Sequence, residues 1–170
     1  MKMSIGMIRL LQATLNTTGE TEPQKRKNAK GEEEEIEVPS ARKLNAIESA
    51  QRRHFVKATK EANDTNDAAV KAIVDPHNAL LEEVKAEIKK EKKKATDDEV
   101  NELAAKDQRI LDSLKSANEA IKALGETEYE VTLTDKTLEL VKKCFKLFSE
   151  ETGFSPADDE IIEKLEGVLK

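Results

Sequence analysis

The residues with the most chemical potential are few and far apart. "QRRHF" sets Arg52, Arg53 and His54 side by side. A histidine works as a general base only when a nucleophile or carboxylate is held against it, and no motif supplies one. The expected role is an exposed basic patch with a partly covered imidazole. His77 follows Pro76 and reads as a polar residue in a first helical turn. Cys144 lies in "KKCFKLF", where lysines would lower its pKa while the apolar setting favours a small buried hydrophobe. Burial is the preferred reading, and no catalytic residue is assigned.

Metal chemistry has no better foothold. No His or Cys pair has ligand spacing. "DTNDAAV" opens like a calcium loop but lacks the required Gly and closing Glu. The run Glu32–Glu35 attracts cations only loosely and reads as a solvated loop. Gly-rich phosphate loops are absent, and no cofactor is expected. "KKEKKK" makes Lys89, Lys90, Lys92, Lys93 and Lys94 the candidates for phosphate contact. They and "QKRK" are neighboured by "TDDE" and "GEEEE", which cancel them locally, and no aromatic or groove-reading element accompanies them. Nucleic-acid binding through these lysines is therefore the alternative rather than the leading reading.

These side chains must be positioned by a chain of 170 residues with 38% charged, 37% hydrophobic and 3% aromatic residues and no Trp. Leu, Ile, Val and Ala suit narrow seams between helices better than a broad core. The net charge of −6 gives no long-range field toward phosphate backbones. A single cysteine excludes an internal disulfide and fits a reducing cytosol. "MKMSIGMIRLLQATLN" is interrupted by Arg9 and Gln12 and lacks a cleavage site, and no apolar run approaches a membrane span. The expectation is a cytoplasmic protein without membrane contact.

Residues 1–39 read as an N-terminal segment, a charged mobile loop at about 16–35 and a short strand in "EIEVP". Residues 1–15 fit either a helix with Ile8, Leu11 and Leu15 on one face or a strand around Ile5 to Leu10. Residues 40–124 read as an antiparallel coiled-coil region. Ser40 is the expected cap of a helix to about Val74 carrying Leu44, Ile47, Gln51, Phe55, Ala58, Ala62, Thr65, Ala69 and Ile73. "VDPHN" then restarts the helix or kinks it. The next helix carries Leu80, Leu81, Val84 and Ile88, and Thr96 with Glu99 forms a capping box after it. Val100, Leu103, Ile110, Leu114, Ala117, Ile121 and Leu124 follow a heptad seam with Asp107 as its polar intruder, ending at Gly125. Residues 125–170 give a strand in "EYEVTL", a helix from Thr134 or Asp135 to Gly153, and a last helix opened by "SPAD".

The strand-then-helix of Glu128–Phe148 weakly echoes Glu35–Phe55. A strand needs a backbone partner, and the candidates are Glu35–Val38 and the N-terminal segment. The expected fold is mainly α: an elongated antiparallel helical hairpin or coiled coil, a small two- or three-stranded sheet, and two C-terminal helices.

"PSARKLNAI" entering a long helix, the charged middle and "YEVTLTDKTLELVKKCFKLF" resemble small helical proteins of unknown function from tailed bacteriophages, over residues 36–150. The resemblance transfers no site residue. It implies a phage accessory protein that acts on a host or phage protein in the host cytoplasm. The expected function is non-enzymatic protein–protein interaction, with a protein partner or a second copy.

Overall fold

The computed structural model describes residues 1–28, 31, 33–151 and 154–169. The chain is mainly α, with seven α-helices and two two-stranded antiparallel sheets among the described residues. It divides into two compact units, Met1–Glu61 with Glu128–Lys170, and Ala62–Thr127.

In the first unit, β1 (Lys2–Ser4) leads directly into α1 (Ile5–Asn16). Ser4 caps α1 by accepting from the Met7 amide at 3.3 Å. The helix alternative for residues 1–15 is thus the one adopted, preceded by a short strand. Ile5, Ile8, Leu11 and Leu15 recur at helical spacing and are buried. β1 pairs with β4 (Glu128–Glu130) in the register Met3↔Tyr129. The "EYE" strand therefore takes the N-terminal segment as its partner, and the Met1 carbonyl extends the pairing by accepting from the Val131 amide at 2.8 Å.

α1 packs against α6 (Asp135–Glu151) and α7 (Asp159–Leu169), and α2 (Ala46–Ala58) packs against α6. Met3, Ile8, Leu11, Leu15, Phe55, Val131, Val141 and Leu165 are fully enclosed there. Each stabilises the fold by roughly 1.5–3 kcal/mol relative to exposure. A Cβ at Gly6 would lie 3.0 Å from Ile161 Cδ1, so the bare glycine permits the close approach of α7. Phe154 stacks against Phe145 and Phe148 with centroids 5.0 and 5.2 Å apart. Gly153, the expected stop of α6, lies outside the described residues.

The expected charged loop at about 16–35 is instead largely a hairpin. β2 (Thr17–Lys27) pairs with β3 (Glu33–Ala41), so the "EIEVP" strand pairs within the hairpin and not with "EYE". Register explains why so polar a segment forms a ladder. Lys25 faces Glu35, Arg26 faces Glu34 and Lys27 faces Glu33, three opposite-charge pairs across the strands. Gly31 takes a φ of +82°, a conformation L side chains resist, and its amide donates to the Asn28 carbonyl at 2.9 Å. Pro23 and Pro39 are tolerated because each strand has one unpaired edge.

Ser40 lies in β3 and not at a helix start. Asn45 caps α2, accepting from Glu48, whose carboxylate returns to the Asn45 amide at 3.0 Å. The helix expected to run unbroken to Val74 stops at Thr59. Its hydroxyl turns back to the Phe55 carbonyl at 3.0 Å and accepts from Gln12 Nε2 at 3.2 Å. α3 (Lys60–Glu91) then continues for 32 residues straight through Pro76, which neither restarts nor ends it. Asp75 and His77 are accordingly interior helical residues. Proline leaves the Ala72 carbonyl without its usual donor, and Ala72 is exposed, where water can serve it.

In the second unit α3 is followed by α4 (Asp97–Ala105) and α5 (Gln108–Gly125) in antiparallel sense. Thr96 and Glu99 form the expected capping box, at 3.3 and 2.8 Å. The single helix expected over 100–124 breaks at Lys106. Asp107, the polar intruder of the seam, is the N-cap of α5 and accepts from the Arg109 amide at 2.9 Å.

Arg42 holds the base of the hairpin. Its side chain is 7% exposed; Nε donates to the Thr14 and Thr17 carbonyls at 2.7 and 3.2 Å and Nη2 to Glu151 Oε2 at 3.0 Å. The two carbonyls lie at the end of α1, where unpaired acceptors favour a cation. Arg42→Ala is expected to lower stability to urea by about 2–3 kcal/mol. Glu151→Gln, which leaves the carbonyl bonds intact, should cost less than about 1 kcal/mol. Equal losses in the two variants would refute this division of roles.

Candidate functional site

Among the described residues the most exposed large apolar side chains are Ile47 (72%) and Val56 (47%) of α2 in the first unit, followed by two leucines of α5 in the second unit. Val84, Ala104 and Ile110 form its buried cluster, with Leu80, Leu81 and Ile88 packed against it. Arg109 ties α5 to α3 by donating to Glu87 at 2.7 Å while also bonding Asp107 at 3.0 Å. Its hydrogen bond holds the Asp107 carboxyl below the usual carboxylate range. His77 Nδ1 lies 3.0 Å from Ser113 Oγ, a second polar link between the same helices.

On α5 only Ile110 is buried, although the helix is strongly amphipathic. Leu111 and Leu114 are each 44% exposed. Leu114 belongs to the expected heptad seam; Leu111 does not. The signal for it is its place beside Ile110, which widens the stripe beyond a two-residue repeat.

The candidate lysines do not act as one group. Lys89 pairs with Asp97 at 2.7 Å, and this hydrogen bond raises its pKa. Lys90 is exposed. Lys92, Lys93 and Lys94 line an open groove of about 560 Å³ with Ala95, Glu99, Glu102 and Leu103. The two glutamates offset much of the charge.

His54 belongs to a polar knot in the first unit. Thr137, fully buried, donates to Gln51 Oε1 at 2.7 Å and lies 3.3 Å from His54 Nδ1 and 2.9 Å from Thr134 Oγ1. Because the Thr137 proton goes to Gln51, its lone pairs accept from the His54 and Thr134 donors. A His54 tautomer protonated at Nδ1 completes this set, and the knot joins α2 to the start of α6. An open surface depression of about 520 Å³ borders this knot, lined by Ala50, Gln51, His54, Thr134, Asp135 and Lys136. Arg52 and Arg53 line another with Val56, Lys57, Lys60 and Asn16, about 480 Å³. They do not converge on His54.

Residues 64–70, the partial calcium motif, are helical within α3. Among the described residues no group of three or more His, Cys, Asp or Glu could hold a metal ion. Among the described residues no helix is long and apolar enough to cross a membrane.

Cys144 is buried on α6, and burial pushes its thiol pKa up against the smaller opposing pull of Arg42 and Lys143. Thiol reagents should modify it at least about 100-fold more slowly in the native chain than in urea. A native rate close to the denatured one would show an accessible thiolate instead. Comparison with protein-family models, with curated proteins and with solved structures finds no match, so the functional reading rests on the chain's own residues.

Proposed function

We propose that the chain works by binding protein and not by transforming a substrate. The observation that carries this reading is the open aliphatic face of α5, with Leu111 and Leu114 each 44% exposed in a protein of 38% charged residues. Large apolar side chains grouped on one face mark contact surfaces more often than singly scattered ones do. On the resemblance to small tailed-phage proteins, the setting is the host cytoplasm and the partner a host or phage protein, another copy of the chain included.

A second reading, nucleic-acid association through Lys89 to Lys94, is favoured by the joint placement of Lys92, Lys93 and Lys94 on one groove. It is the weaker, because Asp97, Glu99 and Glu102 stand among them.

Immobilised wild-type chain and a Leu111→Glu/Leu114→Glu variant, exposed to lysate of the producing cell, test the first reading. The wild type should retain a protein in near-stoichiometric amount that the variant loses. Identical retained sets would contradict it. Retention of DNA or RNA that falls steeply with salt and is lost in Lys92→Glu/Lys93→Glu/Lys94→Glu would favour the second.

A further inference from the structure

We infer that the partner of the α3–α5 face is a second copy of this chain, the two helical hairpins joining as a four-helix bundle. The inference rests on the protein-binding reading above and names its partner.

The apolar stripes of α5 and α3 are wider than a single neighbour requires. At about 100° per residue, Ile110, Leu111, Leu114, Ala117, Asn118 and Ile121 of α5 fall within an arc of about 120° that holds no charge. On α3, Val70, Ile73, Val74, His77, Leu80, Leu81, Val84 and Ile88 span a similar arc. A helix that meets one neighbour needs a narrow two-in-seven seam, whereas a helix in a bundle carries three apolar positions in seven. Leu111 beside Ile110, and the doublets Ile73–Val74 and Leu80–Leu81, are that third position.

The hairpin covers only part of these stripes. On α5, the Ile110 side of the arc is buried and the Leu111–Leu114 side is open. Of α3, only Ala62, Asn66 and Val84 are buried. In this 66-residue unit, Ala62–Thr127, the buried apolar residues are Ala62, Val84, Val100, Ala104 and Ile110, two of them alanines. Small domains with so little burial depend on association or staples.

A second copy fits this face better than a charged partner would. An uncharged aliphatic face is complementary to itself, since two-fold pairing opposes no like charges across the seam. The 18 residues of α5 run about 27 Å, and two helices side by side are about 20 Å wide. The face is thus on the order of 1,000 Å² over both copies, at the lower bound of specific interfaces. We take a dissociation constant on the order of 10 µM for so small a face, a weak self-association whose strength is set by how well the leucines pack and not by area alone.

Light scattering and sedimentation equilibrium of the purified full chain test this. At about 100 µM the wild type should approach twice the 19.0 kDa of one chain. Leu111→Glu/Leu114→Glu should weaken the dimer roughly 100-fold and Leu111→Ala/Leu114→Ala roughly 10-fold. The alanine pair keeps helix propensity, so it answers the question even if the glutamate pair unfolds. A monomeric wild type overturns the inference while leaving capture of a different protein open. A dimer equally tight in the alanine pair overturns the assignment to this face.

Discussion

At 37% hydrophobic and 3% aromatic residues, the chain has little apolar surface, and its helices share that surface unevenly. α1 and α6 bury Ile8, Leu11, Leu15, Val141 and Cys144 together with Phe55 from α2 and Leu165 from α7. Most of the large apolar side chains that are fully buried belong to this unit, from elements distant in sequence. The helices between residues 62 and 127 bury chiefly small side chains, and their larger ones remain half-covered. Burial is the main favourable term in folding, and the first unit holds the larger share of it. The proposed function follows from this imbalance.

Where apolar burial is thin, electrostatics and capping set the geometry in its place. Three opposite-charge pairs align β2 with β3, and Arg42 joins their base to the end of α1. Arg109, shared between Asp107 and Glu87, fixes where α5 starts and which part of α3 it meets. Exposed ion pairs contribute little free energy individually. Their value here is in register: each is satisfied in one alignment and lost in a slipped one.

The legible part of the fold was the part written in periodicity. The α5 stripe, the Thr96–Glu99 capping box, the "EYE" strand and the two C-terminal helices all follow from spacing within a dozen residues. The hairpin at 17–41 was not legible that way, because it has almost no apolar alternation. Its signal was a charge order, Lys25-Arg26-Lys27 against Glu33-Glu34-Glu35, which makes sense only once antiparallel pairing is supposed. The breaks at Thr59 and Asp107 were hidden for another reason. Both residues fit the helical stripe, and what ends the helices is a side-chain bond to the backbone that spacing does not reveal. The tolerance of Pro76 is likewise tertiary, since the stripe continues on both sides of it. As for the candidate site, the seam through Ile110 and Leu114 was readable, but which of its members stay open depends on how α3 lies against α5.

Amide hydrogen exchange of the whole chain at about 5 µM and about 500 µM tests the uneven-burial account most directly. The account predicts that α5 amides (Gln108–Gly125) and those of the second half of α3 gain protection at the higher concentration while α1 and α6 amides do not change. Equal protection of α5 at the two concentrations would contradict it, and would leave only a different protein to cover the α3–α5 face.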